Sequence, residues 1–381
     1  MALKVTPVVS KREWNDFISL PWNIYLKDSN WVPPLKIEVR DMLDVNKNPF
    51  FRHAKMHPLL AYSDNKCVGR IVGIIDDNHN KFHSEQTAFF GFFESIDDQN
   101  VANALFEEVA KWALSKGMNT IRGPMSPSTN HECGLLVEGY DDSPAVMMPY
   151  NPLYYAKLFE SWGLVKAKDL FAYKISRGAK FSEKLLAQAE KLKQSSVVKF
   201  RSVKMKDFGA EVDRILNIYN DAWEQNWGFV PMEELEFRHM AKDLKLILDP
   251  ELLLIAEVRG EPVGFALALP DINQVKKKIK NGRLFPTGLI KLLWYLKGPA
   301  RRRAIDRCRI LTLGIKKAYR EFSIGPLLYA EYLNRGPARG YKVGEASWIL
   351  EDNKPMNRAL EHMCGKRTKV YRIYDCSINA S

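Results

Sequence analysis

One order of elements occurs twice along this chain, and that repetition limits the fold more than any other feature. In the first half, Leu59 to Ile75 carries two apolar, β-branched runs around Ser63-Asp64-Asn65-Lys66, which predicts a hairpin. Thr87 to Ser95 reads as a buried strand. From Asn100 to Lys116, apolar residues at Val101, Leu105, Val109, Trp112 and Ala113 have helical spacing, and Gly117 is the expected stop. Asn119 to Arg122 is a short strand, Pro152 to Trp162 a helix broken by Gly163, and Leu170 to Ile175 a strand. The second half repeats this. Leu252 to Pro270 is a hairpin turning at Arg259-Gly260-Glu261, and Arg309 to Ile315 a buried strand. Pro326 to Arg335 is a helix with Gly336 and Pro337 after it. Val343 to Leu350 is a strand, Lys354 to Met363 a helix and Thr368 to Asp375 a last strand.

A chain of 381 residues is long enough for two such domains. The expected division is 1–180, a polar, Lys-rich linker helix at 181–198, and 199–381 with an insertion at 271–308. Hairpins interleaved with helices predict an α+β fold of mixed, mostly antiparallel sheets flanked by helices. No run of about 18 apolar residues is present, so no transmembrane helix is expected. The N-terminus lacks the apolar core of a secretory signal, and five scattered cysteines without a CxxC pair suit free thiols in a reducing compartment. A cytoplasmic location is therefore expected. His79 and His83 are four apart but have no apparent third ligand, so no metal site is expected. The net charge of +12 favours anionic partners, and basic residues crowd one stretch from Lys276 to Arg309. Within it Leu289, Ile290, Leu292, Leu293, Trp294, Tyr295 and Leu296 lie between basic flanks. Residues 284–303 fit either an interfacial segment or a core-packed helix with solvated flanks.

The chemistry is concentrated after the strand Arg309 to Ile315. Arg320, two spacers, Ser323, Ile324 and Gly325 lead into a helix. A tight turn at a helix start exposes N–H groups and the positive end of the helix dipole, and small residues let a pyrophosphate approach the backbone. An ordinary helix N-cap at Ser323 is the plainer reading.

This arrangement resembles the Arg/Gln-x-x-Gly-x-Gly/Ala loop with which GNAT acyltransferases hold CoA pyrophosphate, with Ser323 in place of the first Gly. The resemblance implies tandem GNAT folds and acyl-CoA as cosubstrate. CoA would be bound by Arg320, Glu321, Phe322, Ser323, Ile324 and Gly325. The strand residues Leu313, Gly314 and Ile315 would bracket the thioester, and Asn353 and Asn357 would contact the pantetheine arm. Aminolysis of a thioester needs a base and a proton source. Glu345, on the next strand, is the candidate base. The family's usual Tyr is missing, which leaves His362 and Tyr341 as further catalytic candidates. The first half has Ser95-Ile96-Asp97-Asp98-Gln99 at the matching point, without Gly or Arg, so it reads as a degenerate copy that has lost CoA. Its irregular stretch from Gly123 to Tyr155 supplies acceptor-site candidates: Asn130, Glu132, Tyr150, Asn151 and Tyr154.

Several segments spread over most of the chain resemble the GNAT-type bacterial ceramide synthases. They are Pro21 to Leu35, Asn48 to Tyr62, Phe89 to Asp98, Gly123 to Tyr155, Asn220 to Met232 and Glu345 to Met363. That resemblance implies transfer of a fatty acyl group from acyl-CoA to the amine of a sphingoid base, at the surface of the inner membrane and without nucleic acid. Two other readings stay open at this point. One is a Fem-type aminoacyl-tRNA-dependent transferase, which the positive charge would suit. The other is a noncatalytic ligand- or nucleic-acid-binding protein on the same fold.

Overall fold

The computed structural model describes residues 3–178, 197–224, 226–297, 304–322 and 324–379. They form two compact units. The first comprises Met1–Leu170, Lys276–Leu289 and Lys369–Ser381, and the second Phe171–Val275 and Ile290–Thr368. The units are thus interleaved along the chain, where the sequence suggested two contiguous halves. The first unit takes back part of the insertion and the last strand. The linker helix expected at 181–198 lies, but for its last two residues, outside the described residues.

In chain order the elements begin with β1 (Leu3–Pro7), α1 (Lys11–Ile24), α2 (Lys36–Met42), β2 (Ala54–Ser63), β3 (Lys66–Asp76) and α3 (Asp77–His83). They continue with β4 (Thr87–Ser95), α4 (Gln99–Ser115), β5 (Thr120–Gly123), β6 (Met125–Ser126), β7 (Glu132–Cys133), β8 (Leu135–Glu138), α5 (Tyr155–Trp162) and β9 (Val165–Ser176). Then follow β10 (Val198–Ser202), α6 (Phe208–Trp223), α7 (Glu234–Lys245), β11 (Leu253–Val258), β12 (Glu261–Pro270), α8 (Asn273–Lys276) and α9 (Thr287–Lys297). The last elements are β13 (Arg307–Ile315), α10 (Ile324–Ala338), β14 (Val343–Leu350), α11 (Lys354–His362) and β15 (Lys366–Ser377).

Each unit builds the same sheet. In the first, the order is β1-β2-β3-β4-β5-β15, with β8 also on β15. All pairs are antiparallel except β4 with β5. In the second, the order is β10-β11-β12-β13-β14, antiparallel except β13 with β14. The repetition reaches single residues. Both hairpins carry a bulge, between Ala61 and Tyr62 in one and between Ala256 and Glu257 in the other. Both following ladders carry one too, between Arg70 and Val72 and between Leu267 and Ala268.

The sequence explains the turns. Asp64 and Asn65 both have positive φ, as do Arg259 and Gly260, and this pairing matches the twist of a two-residue hairpin. Each unit has its own apolar core. One centres on Ile71, Phe90, Phe106 and Phe159, the other on Leu254, Ala266, Ile310, Leu328 and Tyr332. Boundaries differ from expectation at several elements: β9 begins at Val165, and α10 runs through Gly336 and Pro337 to Ala338. Pro337 stands in the final turn, where its missing N–H removes a single hydrogen bond. Gly340, at φ +97°, donates to the Pro337 carbonyl just beyond the helix end.

Candidate active site

The ladder between β13 and β14 is short. It joins Arg307–Ile310 to Val343–Ala346 and stops, while β13 runs on to Ile315 and β14 to Leu350. Beyond the Ile310–Ala346 rung the two parallel strands no longer pair. The bulge falls at the same place, because Leu267 pairs with Thr312 and Ala268 with Ile310, leaving Leu311 as the extra residue. It resets the alternation of side chains. Cys308 and Ile310 before it, and Leu313 and Ile315 after it, all face the core beneath α10. Gly314 turns to the opposite face, where a Cβ would lie 2.1 Å from the Trp223 ring of α6.

On that opposite face Arg309 and Glu345 occupy one rung of the ladder, and both are 0% exposed. The Arg309 Nε donates to the Ser347 hydroxyl at 3.0 Å, and an η nitrogen donates to the Ser347 carbonyl at 3.2 Å. The Ser347 hydroxyl in turn lies 3.4 Å from Glu345 Oε1. The guanidinium stacks over Trp348, 4.8 Å from the ring centre. Two opposite charges buried this deeply on one rung are tolerated only with hydrogen-bond partners such as Ser347, and they lie at the foot of the opening. The sequence placed Arg309 in a basic stretch. It is buried, and Arg307 is partly buried, pairing with buried Asp271 at 2.6 Å.

After β13 the chain makes a 3-10 turn, Lys317–Phe322, and enters α10 at Ile324. Lys317 N–H donates to Asp221 at 2.6 Å and its amine contacts Glu224, which ties the turn to α6. Arg320 is exposed and donates one η nitrogen to the Ala222 carbonyl at 2.7 Å. Glu321 and Phe322 are exposed as well. Ser323 lies outside the described residues, so its expected contact with phosphate has no structural counterpart here. A Cβ on Gly325 would lie 3.4 Å from Ile315 and 3.9 Å from Leu313, so this helix start sits against the end of β13. Thus Leu313, Gly314, Ile315, Arg320, Ile324 and Gly325 gather around one end of the opening. A small apolar pocket lies on the α10 side, toward the paired end of the ladder where Tyr341 and Val343 stand. Its lining includes Cys308, Ile310, Tyr329, Tyr332, Val343 and Met363.

The other candidates fall at different places. Asn353 caps α11, accepting from the Met356 N–H at 3.2 Å. Asn357 is buried, accepts from the Tyr173 hydroxyl at 2.9 Å and donates to the Leu350 and Asn353 carbonyls at 3.0 Å each. It therefore braces the far end of β14. His362 is exposed in the last turn of α11, with Nδ1 on the Arg358 carbonyl. Tyr341 is buried before the start of β14, the end away from the opening, with its hydroxyl 3.3 Å from Asp249.

In the first unit the corresponding place is filled. The β4–β5 ladder ends at Phe89–Arg122. There the following segment closes in: the Phe92 N–H donates to the Ser126 hydroxyl at 2.9 Å, and a Cβ on Gly91 would meet the Met125 carbonyl at 1.7 Å. Tyr155 donates to Glu94 at 2.7 Å, with Arg70 3.6 Å away on the other oxygen. Burial pushes the Glu94 carboxyl above its ordinary range, against the pull of Arg70. At the start of α4, where the second unit has its Arg320–Gly325 turn, Asp98 caps the helix by accepting from the Asn100 N–H. A carboxylate there repels phosphate.

The acceptor candidates lie in this unit and are mostly engaged within it. Tyr150 donates to Asp28 at 2.9 Å, and Tyr154 donates to the Ser95 carbonyl at 2.7 Å. Asn151 bridges both backbone groups of Leu136. Asn130 and Glu132 are half-buried, with the Asn130 N–H on the Ser128 hydroxyl and Glu132 in β7. What the sequence missed was the Arg309–Ser347–Glu345 link and Trp223. The signal available was an arginine inside an otherwise apolar strand.

A mixed sheet with one parallel pair parting beside a bulge and a helix start is the architecture of the GNAT acyltransferases, present here twice. The comparisons agree. The acetyltransferase (GNAT) family model matches residues 212–365. The bacterial ceramide synthase of Caulobacter vibrioides is 36% identical over 98% of this chain and 97% of its own. Protein YghO of Escherichia coli is 37% identical over 98% of this chain and 95% of its own. Among solved structures, a tandem GNAT protein from the clavulanic acid biosynthesis pathway superposes with a TM-score of 0.57 over the full length of both chains, at 10% identity. A GCN5-related N-acetyltransferase from Sphaerobacter thermophilus gives 0.53, at 13% identity and with 96% of its chain covered. The chain belongs to the family of tandem GNAT N-acyltransferases that includes the Caulobacter ceramide synthase and YghO.

Proposed function

We propose that this N-acyltransferase uses a fatty acyl-CoA as donor and a long-chain amine, of the sphingoid-base type, as acceptor. The observation that carries this reading is the unpaired stretch of β13 and β14, with Glu345 at its foot and the start of α10 at its edge. The curated relative named a ceramide synthase points to the acceptor class, and the pocket on the α10 side has an apolar lining that suits an acyl chain.

In this reading CoA pyrophosphate lies at the N-terminus of α10, approached by Arg320 over Gly325, and Ser323 stands where the family's first Gly does. The pantetheine arm enters the gap, where backbone N–H groups of Leu313 to Ile315 are available to the thioester carbonyl. The fatty chain runs from the gap past Ile310, with its far end at the pocket beside Val343. The amine attacks the thioester carbon from the α6 face. Its proton passes across the Ser347 hydroxyl to Glu345, for which Arg309 supplies the countercharge. The oxyanion is held by the β13 edge, the C–S bond breaks, and the CoA thiolate takes a proton from water. Asn353 and Asn357 shape the end of β14 on the pantetheine side. Tyr341 and His362 are assigned no catalytic part, because their hydroxyl and ring nitrogen are used away from the opening. Of the first-unit candidates, Tyr150, Asn151 and Tyr154 hold their own loop in shape.

The test is an acceptor panel. Purified protein with palmitoyl-CoA or acetyl-CoA is offered sphinganine, 3-oxosphinganine, a short alkylamine or no amine, and free CoA and product mass are followed. Amide formed from palmitoyl-CoA only with a sphingoid base supports the proposal. Amide from acetyl-CoA and the short amine alone contradicts it.

A further inference from the structure

Helix α9 has apolar side chains on both faces. Leu292, Tyr295 and Leu296, at positions i, i+3 and i+4, pack against the core of the second unit. That accounts for one face. On the other, Ile290 is 66% exposed, Trp294 57% and Leu293 47%. Three large apolar groups on adjacent turns of one helix form a patch that a solvent-facing surface does not require.

The surrounding charge narrows what could cover it. Between residues 276 and 297 the sequence has seven Lys and Arg and no Asp or Glu. Lys276 pairs with Glu38 and Lys277 with Ser143, and Lys277, Lys278, Lys280, Arg283 and Lys291 have exposed side chains. With 11 residues the helix is too short to span a bilayer, and among the described residues no helix is long and apolar enough to do so.

We propose that α9 docks this protein on an anionic lipid bilayer, lying in the plane of the interface. Ile290, Leu293 and Trp294 enter the acyl boundary, and Lys291 on the same helix meets the phosphate headgroups. A phosphate polymer such as duplex DNA would answer the charge but would leave the three apolar side chains in water. The bilayer answers both. The inference stands on this helix alone and does not depend on which acyl donor the enzyme uses.

The experiment is co-sedimentation of the full chain with sucrose-loaded vesicles. One set is phosphatidylcholine alone, and the other contains about one-quarter phosphatidylglycerol. The wild type pellets with the anionic vesicles, and the binding weakens when salt rises from about 0.1 to 0.5 M. The Leu293→Glu/Trp294→Glu double variant binds about ten-fold more weakly or worse. Both positions face solvent, so its circular dichroism and melting temperature stay those of the wild type. Equal pelleting of wild type and double variant would overturn the proposal, and so would an absence of binding to anionic vesicles. Binding to duplex DNA that excludes vesicles, or a dimer in solution that the double variant dissolves without any vesicle binding, would also contradict it.

Discussion

At the residue scale, the chemistry rests on three side chains at the end of the β13–β14 ladder. Glu345 and Arg309 are both fully buried and Ser347 joins them. If Glu345 takes the amine proton, Glu345→Gln keeps the shape but not the base. It should lower kcat by about 10²- to 10⁴-fold with acyl-CoA affinity unchanged, as read from steady-state rates and a binding titration. Loss of affinity in place of rate would make Glu345 a binding residue. Arg309 is expected to behave differently. Arg309→Met leaves a buried carboxylate without its countercharge, and a loss of about 3–5 kcal/mol in urea unfolding is expected. Little of this cluster was legible beforehand. Glu345 was picked out because it stands on the strand facing the proposed gap. Arg309 was given no part in the site, because a sequence does not say which neighbour a charged residue in a buried strand will meet. Tyr341 was a further candidate because the family's usual Tyr is missing, and the register places it at the closed end of β14.

At the element scale, the strands, turns and helices follow from periodicity and turn chemistry, and both hairpins stand where the alternation put them. The bulges did not follow. An extra residue at Leu311 depends on which neighbour pairs with which, and that register is decided in three dimensions. Its consequence is testable at Gly314. A methyl there meets the Trp223 ring, itself packed against Phe265 and Tyr219, so Gly314→Ala should cost about 1–3 kcal/mol in thermal or urea unfolding. The pocket beside β13 gives a second expectation. Val343→Trp fills part of its lining and should move the preferred donor toward shorter acyl chains in a competition among acyl-CoAs analysed by product mass.

At the scale of the whole molecule, the sequence showed the duplication but not the interleaving. The last strand returns to the first unit, and composition carries no trace of that. Arg372 on β15 holds Asp169 on β9 through two hydrogen bonds, 2.8 and 3.1 Å long. Burial pushes the Asp169 carboxyl up, but Arg372 and Lys166 outweigh it, so the group titrates below its ordinary value. A depressed carboxylate stabilises the fold above its unfolded pKa, and that contribution disappears as pH falls through the folded value. Asp169→Asn should therefore lose about 1–2 kcal/mol at pH 7, measured by urea unfolding, and the gap from wild type should narrow toward about pH 3.

The two units have also diverged: one copy of the gap is filled by Met125, Ser126 and a capped helix, and the other is open. Counting CoA sites tests this most directly. Calorimetric titration of the full chain with CoA should give one site per chain. Arg320→Glu should weaken it at least about ten-fold, and Asp98→Asn, which removes the repelling carboxylate from the first unit, should leave both count and affinity unchanged. Two sites per chain, or a single site that Arg320→Glu does not touch, would contradict the assignment of acyl-CoA to the second unit.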